Sequence, residues 1–447
     1  MDNAKIQPVL NRARLLFILS LLFKLIIAAT VIWRFGQDIH FTDNDATQYL
    51  NAGINLFRHG VFSMDAQAPL SPTMFRTPLY PIFLFAVNFL SGRLWVVSAY
   101  VLQGLIISFA VVYLYRGIKN IFGEKPAFWS AFLFALEPFS NFNTNIITPD
   151  SIFTALITIA SVAFLKVLFK PVRRNLVISA VALALAVLTK PIAEFIPVLF
   201  LIAFFLKWGI ARVYIKKAIV FVAVFVVIIS PWVIRNYVDF KSLQISSLPS
   251  YNLYLYNAAL ALASQKNISF TKAQNQLMSK AEKDLGISGN MDLYDPKYGN
   301  YLRQNALQII GADPLDYVAA HILTICPFLI NDGYQKFYPL VGINFHNSES
   351  ITLMLKSGNF KDVVSYVFGR SFDNMILFGI GKLFWVVIYA FILCNIYRRI
   401  QEKNKKSLIA LAFFAIVIAY FAVLTGPVAA ASYRLPVQGL IFLLIFI

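Results

Sequence analysis

Seven charged side chains stand at or beside the ends of long apolar runs in this 447-residue sequence: Asp43, Asp45, Arg76, Asp150, Lys190, Arg235 and Arg434. A charge held at a membrane edge is costly without a partner or a task, so each is a functional hypothesis from the start. A carboxylate can take a proton from a hydroxyl nucleophile. Fixed Arg and Lys side chains can hold a phosphate and stabilise the negative charge that develops as it leaves. A membrane edge suits a substrate with a lipid tail. Together these residue types point to transfer of a group from a lipid phosphate to a hydroxyl.

Such chemistry needs elements that bring distant residues to one face. The chain is 59% hydrophobic and only 13% charged, where a soluble protein is about a quarter charged. Its mean hydropathy is +0.69, and apolar runs of about 17 to 25 residues recur, the length a helix needs to cross a bilayer. The fold class is therefore an all-α polytopic membrane protein. The formal charge of +18 does not make it a nucleic-acid binder, because Lys and Arg gather in short loops between apolar runs, the signature of topology. The first run lacks a signal-peptide cleavage site and is expected to be a retained anchor. Cys326 and Cys394 have no metal or redox spacing and fall in different compartments, so no structural disulfide is expected. His40, His59, His321 and His346 form no HExxH-type cluster and read as solvated or interfacial.

The first span is 15–33, preceded by Lys5, Arg12 and Arg14, which puts the N-terminus inside. A first external loop, 34–94, follows; within it "PLYPIFLFAVNFL" (78–90) is short and Pro-led and reads as an interfacial helix or partial entry. Further spans are expected at 94–115, 127–143, 149–168, 175–189, 192–207 and 217–233. The basic stretches "YRGIKNIFGEK", "KVLFKPVRR" and "KWGIARVYIKK" all fall on the inner side. Residues 1–233 form an N-terminal transmembrane module. Residues 234–373 form an external, partly helical region that is Tyr- and Asn-rich, with one apolar patch at 317–330 that is too short to span and is interrupted by Pro327. Spans resume over 374–447, at 374–395, 407–424 and 435–447. Ending inside an apolar run leaves two alternatives open: the natural chain continues, or it has been cut there. On this topology the basic loops lie on one side and the seven unusual residues on the other.

Several stretches now resemble a known family in their order and spacing. They are "DATQYLNAGINLFRHGVF" (45–62), "FRTPLYPIFL" (75–84), "LEPFSNFNTNIITPDSIFTALI" (136–157), "LTKPIAEFIP" (188–197), "PWVIRNYVDF" (231–240) and "YRLPVQ" (433–438). The chain resembles the polytopic glycosyltransferases of the C-type fold. Within them it is most similar to the family-39-like group of protein O-mannosyltransferases and lipid A aminoarabinose transferases. The resemblance implies about 10–12 transmembrane helices and external loops carrying juxtamembrane helices. It also implies an enzyme that moves a hexosyl or related sugar from a polyprenyl-phosphate donor to an acceptor hydroxyl, by an inverting single displacement. No nucleotide-sugar pool exists outside the cell, which fits a lipid-carried donor. The acceptor is left open among protein, lipid A and cell-wall glycan. The compact chain suggests a bacterial inner membrane, with the site facing the periplasm or cell exterior.

The family pattern has an acid in the first external loop, four residues before a tyrosine. Asp45 and Tyr49 fit it, which makes Asp45 the general base; Asp45 also suits the cap of the helix it precedes, and the two roles are compatible. Asp43 fits less well and is its neighbour in a substrate-binding loop or a solvated acid. Arg76 is a donor-phosphate contact or a snorkelling cation. Asp150 is a substrate contact or a helix cap. Lys190 before Pro191, Arg235 with Asn236, and Tyr433 with Arg434 match positions that bind substrate, Lys190 and Arg434 as donor-phosphate contacts. Trp232 reads first as an interfacial anchor. No cofactor is required by these readings. Asp43-Asn44-Asp45 also spells the D-x-D of metal-assisted nucleotide-sugar transfer, but topology places it outside, so a divalent metal remains an unsupported alternative. The rival function is a transporter or flippase of a lipid-linked or anionic substrate. Such proteins usually carry repeated halves and broken midplane helices; here no repeat is visible and the charges lie at helix ends. A structural or assembly partner is the third class, and the outward-facing acids and cations argue against it.

Overall fold

The computed structural model describes residues 6–36, 45–287, 289, 292–334, 372–428 and 430–447. Its elements are helices because a bilayer offers the backbone no water, so an apolar run must satisfy its N–H and C=O groups within itself. The first part comprises α1 (Ile6–Phe35), α2 (Asp45–His59), α3 (Leu79–Ser91), α4 (Trp95–Phe122), α5 (Glu124–Leu136), α6 (Pro138–Asn143), α7 (Asp150–Phe169), α8 (Arg173–Thr189), α9 (Ile196–Trp208) and α10 (Arg212–Phe240). Next come α11 (Leu248–Asn252), a π-helical turn (Leu253–Ala258), α12 (Ala259–Lys266), α13 (Phe270–Leu285), α14 (Gly299–Ala312) and α15 (Pro314–Ile330). α16 (Phe372–Gln401), α17 (Lys405–Thr425) and α18 (Ala431–Leu444) close the chain.

Among the described residues, seven helical segments are long and apolar enough to cross a bilayer, or eight if one bent pair is a single span. α5, α8 and α18 have 13, 17 and 14 residues. They fall short of that length but pack in the same bundle. With them, each run read from the sequence as a span has its helix, except that 127–143 is split at the extended Glu137 into α5 and α6. α7 lies at the centre, against α4, α8 and α18; 78% of its apolar window is buried, against 17% for the peripheral α10. Small residues allow this closeness: a Cβ on Gly117 of α4 would stand 2.2 Å from Val162 of α7.

The basic loops gather at one end of the bundle. Arg12 of α1 pairs with Glu124 at 3.0 Å, which Lys119 also pairs at 2.7 Å. Lys406 at the start of α17 donates to the Ile121 carbonyl, and Lys217 donates to that of Pro171 at 2.8 Å. α2, the start of α7, the α8–α9 junction and the start of α18 meet at the other end, around one cavity.

α3 takes the short Pro-led stretch, as expected, and runs through a tight turn at Gly92–Leu94 into α4. Its buried residues Tyr80, Pro81 and Leu84 pack under α2. The two helices touch at Gly53, where a Cβ would lie 2.3 Å from the Pro81 carbonyl oxygen. That approach fixes α2 over the stretch that carries Arg76.

The apolar patch at 317–330, expected from the sequence to be interrupted at Pro327, is not interrupted there. It is helical throughout as α15, with Pro327 inside, and packs on α12, α17 and α18. α14 and α15 meet at 100° and pass together as a broken span or re-entrant loop. The break has a local cause. Asp313 accepts from the Asp316 amide at 3.0 Å while Pro314 takes the first helical position, so a new helix begins where the old one stops.

Gly53→Ala should lower the stability of the purified protein by about 1–3 kcal/mol, because the added methyl meets backbone that cannot move aside. Thermal unfolding in detergent measures it; an unchanged melting temperature would show that α2 and α3 can part at no cost.

Candidate active site

The cavity has a volume of about 630 Å³ and is lined by Asp45, Tyr49, Arg76, Asp150, Lys190 and Tyr433 among others. Six of the ten residues read from the sequence as site residues are thus brought together from five places in the chain. Asp43 lies outside the described residues. Arg235, Asn236 and Arg434 are not in the cavity wall.

Asp45 opens α2, and Tyr49 follows one turn later. Arg76 reaches across from the stretch before α3. Its Nη2 lies 2.6 Å from Asp45 Oδ1. Its Nε and Nη2 donate to Gln48 Oε1 at 3.1 and 2.8 Å, and Nη1 donates to the Tyr49 hydroxyl oxygen at 3.2 Å. The guanidinium lies between the rings of Tyr49 and Phe75, at 4.8 and 5.0 Å. Burial works against this cation, but Tyr49 and Asp45 outweigh it and hold its pKa above the ordinary arginine value. Arg76 is thus a buried, paired cation and does not snorkel; the Asp45 side chain stays 42% exposed.

The second pair joins Lys190 Nζ to Asp150 Oδ1 at 2.6 Å. Pro191 disfavours helix at the residue before it, so α8 ends and Lys190 turns extended, at φ −145° and ψ 123°. Asp150 sits in the first turn of α7, where the helix dipole favours a carboxylate. The Asp150 side chain is only 9% exposed and that of Lys190 22%. Tyr433 covers the ammonium with its ring at 5.3 Å.

Arg235 and Asn236 stand one layer behind. Arg235 donates to the Thr73 carbonyl at 2.7 Å and pairs with Asp239 at 2.9 Å. Asn236 donates to the carbonyls of Gln244 and Ile245 at 2.8 and 3.2 Å. Trp232, expected at the membrane interface, is 7% exposed and donates to the Ile245 carbonyl at 2.8 Å. Asn236 and Trp232 hold the segment 244–246, whose Ser246 Oγ donates to the Phe75 carbonyl at 2.6 Å, while Arg235 holds the backbone at Thr73 directly. They act on the site by holding the backbone beside Arg76.

Arg434 is 1% exposed. Its Nη1 donates to the carbonyls of Phe328 and Leu329 at 2.8 and 2.6 Å, and its Nη2 to that of Asn331 at 2.6 Å. Its guanidinium stacks on Trp385 at 3.6 Å. It caps the end of α15, where carbonyls lack helical partners, and in doing so places its neighbour Tyr433 on Lys190.

The opposite wall comes from the region after α10: Tyr251, Asn252, Tyr256, Asn257, Tyr294 and Arg303. Tyr294 stacks on Phe75 at 3.7 Å. Arg303 of α14 is exposed and makes no ion pair or hydrogen bond among the described residues. The π-helical turn presents Tyr256 and Asn257; such turns recur at functional sites. Sequence reasoning did not single out these residues, and the only signal was the Tyr- and Asn-rich composition of "YNLYLYN". Among the described residues no three His, Cys, Asp or Glu side chains cluster as metal ligands do.

Asp150→Asn should destabilise the folded protein by roughly 3 kcal/mol, because it leaves the Lys190 charge unpaired among apolar neighbours. Asp150→Asn combined with Lys190→Met should recover most of that loss. Denaturation of the purified variants measures both, and an additive double variant would show that the two side chains are not energetically coupled.

Residues 76–234 match the family model described as dolichyl-phosphate-mannose-protein mannosyltransferase. The matched stretch begins at Arg76, contains Asp150 and Lys190 and stops one residue before Arg235. The archaeal oligosaccharyltransferase AglB from Archaeoglobus fulgidus, solved with an inhibitory peptide and a dolichol-phosphate, is similar over 95% of this chain and 50% of its own. The identity is 15% and the TM-score 0.51. ArnT from Cupriavidus metallidurans in the apo state is similar over 95% of this chain and 75% of its own, at 15% identity and a TM-score of 0.39. ArnT bound to undecaprenyl phosphate is similar over 100% of this chain and 77% of its own, at 14% identity and a TM-score of 0.38. No curated protein sequence matches the chain. The chain spans about half the length of the archaeal oligosaccharyltransferases it matches. The family match over residues 76–234 bears out the family-39-like resemblance read from the sequence, and the likeness to the archaeal enzyme gives the chain, helical in all its described elements, the C-type glycosyltransferase fold.

Proposed function

We propose that the chain is a membrane glycosyltransferase that takes a sugar from a polyprenyl-phosphate donor and places it on an acceptor hydroxyl at the outer face, by an inverting single displacement. The observation that carries this reading is one cavity in which two of the three lining carboxylates, Asp45 and Asp150, differ in access and each stand 2.6 Å from a cation, the third being Glu194. It lies at the end of the bundle opposite the basic loops, the end that the positive-inside rule assigns to the exterior. The donor class is supported by the description of the matched family, which names dolichyl-phosphate-mannose, and by the dolichol-phosphate in the archaeal structure.

The two acids divide the work by environment. Asp45, with its side chain 42% exposed, is open to an incoming hydroxyl; Asp150, 9% exposed, is closed in by its helix and Lys190. Asp45 therefore accepts the acceptor's proton. The freed oxygen lone pair attacks the anomeric carbon, the bond from that carbon to the phosphate oxygen breaks, and the phosphate leaves with the bonding electrons. Attack opposite the leaving group inverts the anomeric centre.

Donor counting separates the two cations. An ammonium has three N–H donors and a guanidinium five. Lys190 uses one described hydrogen bond, to Asp150, which leaves two N–H donors for a phosphate. Arg76 already serves Gln48, Tyr49 and Asp45, so it mainly holds the base. Arg303 adds an open cation from the facing wall. The acceptor is a hydroxyl on a protein, lipid A or a cell-wall glycan, and the compact chain favours a bacterial inner membrane.

The test is turnover of a panel of polyprenyl-phosphate sugars by the purified protein in lipid, with candidate acceptors present. The wild type should consume a donor, and Asp45→Asn should slow it by about 10²–10⁴-fold while still folding, the span that general-base catalysis supplies. Normal turnover by Asp45→Asn would move the base elsewhere. No consumption across the panel, together with uptake by proteoliposomes, would overturn the enzyme reading in favour of transport.

A further inference from the structure

Lys24 of α1 is a buried basic side chain that the site described above does not use. It lies mid-way along the 25-residue span Asn11–Phe35, roughly 16–20 Å from either end at the helical rise. No lysine side chain can snorkel that far. It is 1% exposed. Its stem packs against α4 at Gly104, where a Cβ would stand in ordinary contact, 3.5 Å from Lys24 Cβ and Cδ.

Its ammonium has three donors and three acceptors: the Ser20 carbonyl at 3.2 Å, Ser20 Oγ at 2.8 Å and Asn141 Oδ1 at 2.6 Å. Two of these are local to α1. The third crosses to the buried segment between α5 and α7. A leucine would serve helix packing without the cost of burying a charge, so packing alone does not account for a lysine here.

Asn141 organises that segment. Its Nδ2 donates to the carbonyls of Ala135 and Glu137 at 3.0 and 2.6 Å, which ties the segment to the end of α5. Its own carbonyl accepts from Thr144 Oγ1 at 2.8 Å and Asn145 Nδ2 at 3.2 Å. A second hold comes from Gln103, which donates to the carbonyls of Thr144 and Ile146 at 2.9 and 3.1 Å. The segment is buried from Phe139 onward and leads through Pro149 directly into Asp150. Its backbone thus cannot shift without carrying the carboxylate with it.

We propose that Lys24 is a positioning residue of the reaction centre: from mid-span it fixes Asn141 and, through the buried segment 137–149, sets where Asp150 stands and so where Lys190 meets a donor phosphate. This rests on the reading of the cavity as a polyprenyl-phosphate site, so the experiment has one arm without ligand and one with it.

In the first arm, hydrogen exchange is compared in wild type and Lys24→Met. Protection of amides 140–148 should fall at least about tenfold, with α4 and α7 unchanged, as local opening of one unit does. Unchanged protection, or a loss spread evenly over the bundle, would overturn the proposal. In the second arm, affinity for undecaprenyl phosphate is measured. Lys24→Met should weaken it about tenfold where Lys190 is present and leave it unmoved in Lys190→Ala, since residues acting through one contact are not additive. A merely structural role lowers the melting temperature and leaves affinity alone. Equal losses in both backgrounds would overturn the link to Lys190. Absence of binding by the wild type would overturn the donor reading and the phosphate half of this proposal, while the exchange arm still decides the hold on the segment. Should Lys24→Met fail to fold, Lys24→Gln, which removes the ammonium that bonds Asn141 Oδ1 and leaves the Asn141 bonds to Ala135 and Glu137 in place, is read in the same way.

Discussion

The Asp150–Lys190 ion pair is the contact around which this end of the molecule is arranged. Two charges at 2.6 Å with most of their surface buried give up hydration that their mutual attraction repays only in good geometry. Each side of that geometry has a separate cause. Pro191 ends α8 and turns Lys190 extended. The buried segment before α7 delivers Asp150 at a helix start. Arg434, by capping α15, brings Tyr433 over the ammonium. An apolar pair of similar size would hold α7 to α8 as well or better. Keeping ions there, in the wall of a cavity, is therefore better explained by what the cavity binds than by stability.

The Asp45–Arg76 pair follows a different rule. Only the cation is buried, and the carboxylate is left open. Gln48 and Tyr49, on the same helical turns as Asp45, take up the other donors of Arg76, so α2 presents its acid and its clamp together. The register of α2 over α3 fixes both, and that register depends on Gly53. Two carboxylates of the same intrinsic chemistry are thus set apart by burial and hydrogen bonding, the means by which sites divide acid, base and electrostatic roles.

How far the sequence revealed this depended on where the determining contact lies. The spans were legible because an apolar run in lipid has few conformations open to it. Asp45, Arg76, Asp150 and Lys190 were legible as a group because charge sidedness put them at one end of the spans, and Tyr49 and Tyr433 entered through the family pattern. Arg235 and Arg434 looked the same from the sequence, as cations at span ends, yet they turn towards carbonyls at Thr73 and at the end of α15. A cation beside a helix end reads identically whether its donors meet a ligand or a backbone carbonyl, and only the tertiary fold decides. Arg303, Asn257 and Tyr294 were illegible for the opposite reason. They lie in short helices and turns without membrane periodicity, and the cavity collects them from separate elements. Pro327 misled because a proline tolerated inside a packed helix has the same letter as one that breaks it.

Charge balance in the cavity carries the argument one step further. Asp45 with Arg76 and Asp150 with Lys190 are closed pairs, while Arg303 and Glu194 line the cavity with no ion pair among the described residues. In the proposed reaction, negative charge grows on the departing phosphate as it falls on the acceptor's side. A cation that must answer this growth without moving has to be fixed beforehand yet retain donors. Lys190 meets both conditions through a single bond to Asp150. That bond holds the ammonium in place and leaves two N–H groups directed elsewhere. An arginine in its place would reach further and pair more fully, as Arg76 does, and would have less left to offer. The choice of lysine at one pair and arginine at the other thus follows from what each must do: one cation keeps a base in position, and the other keeps a hand free.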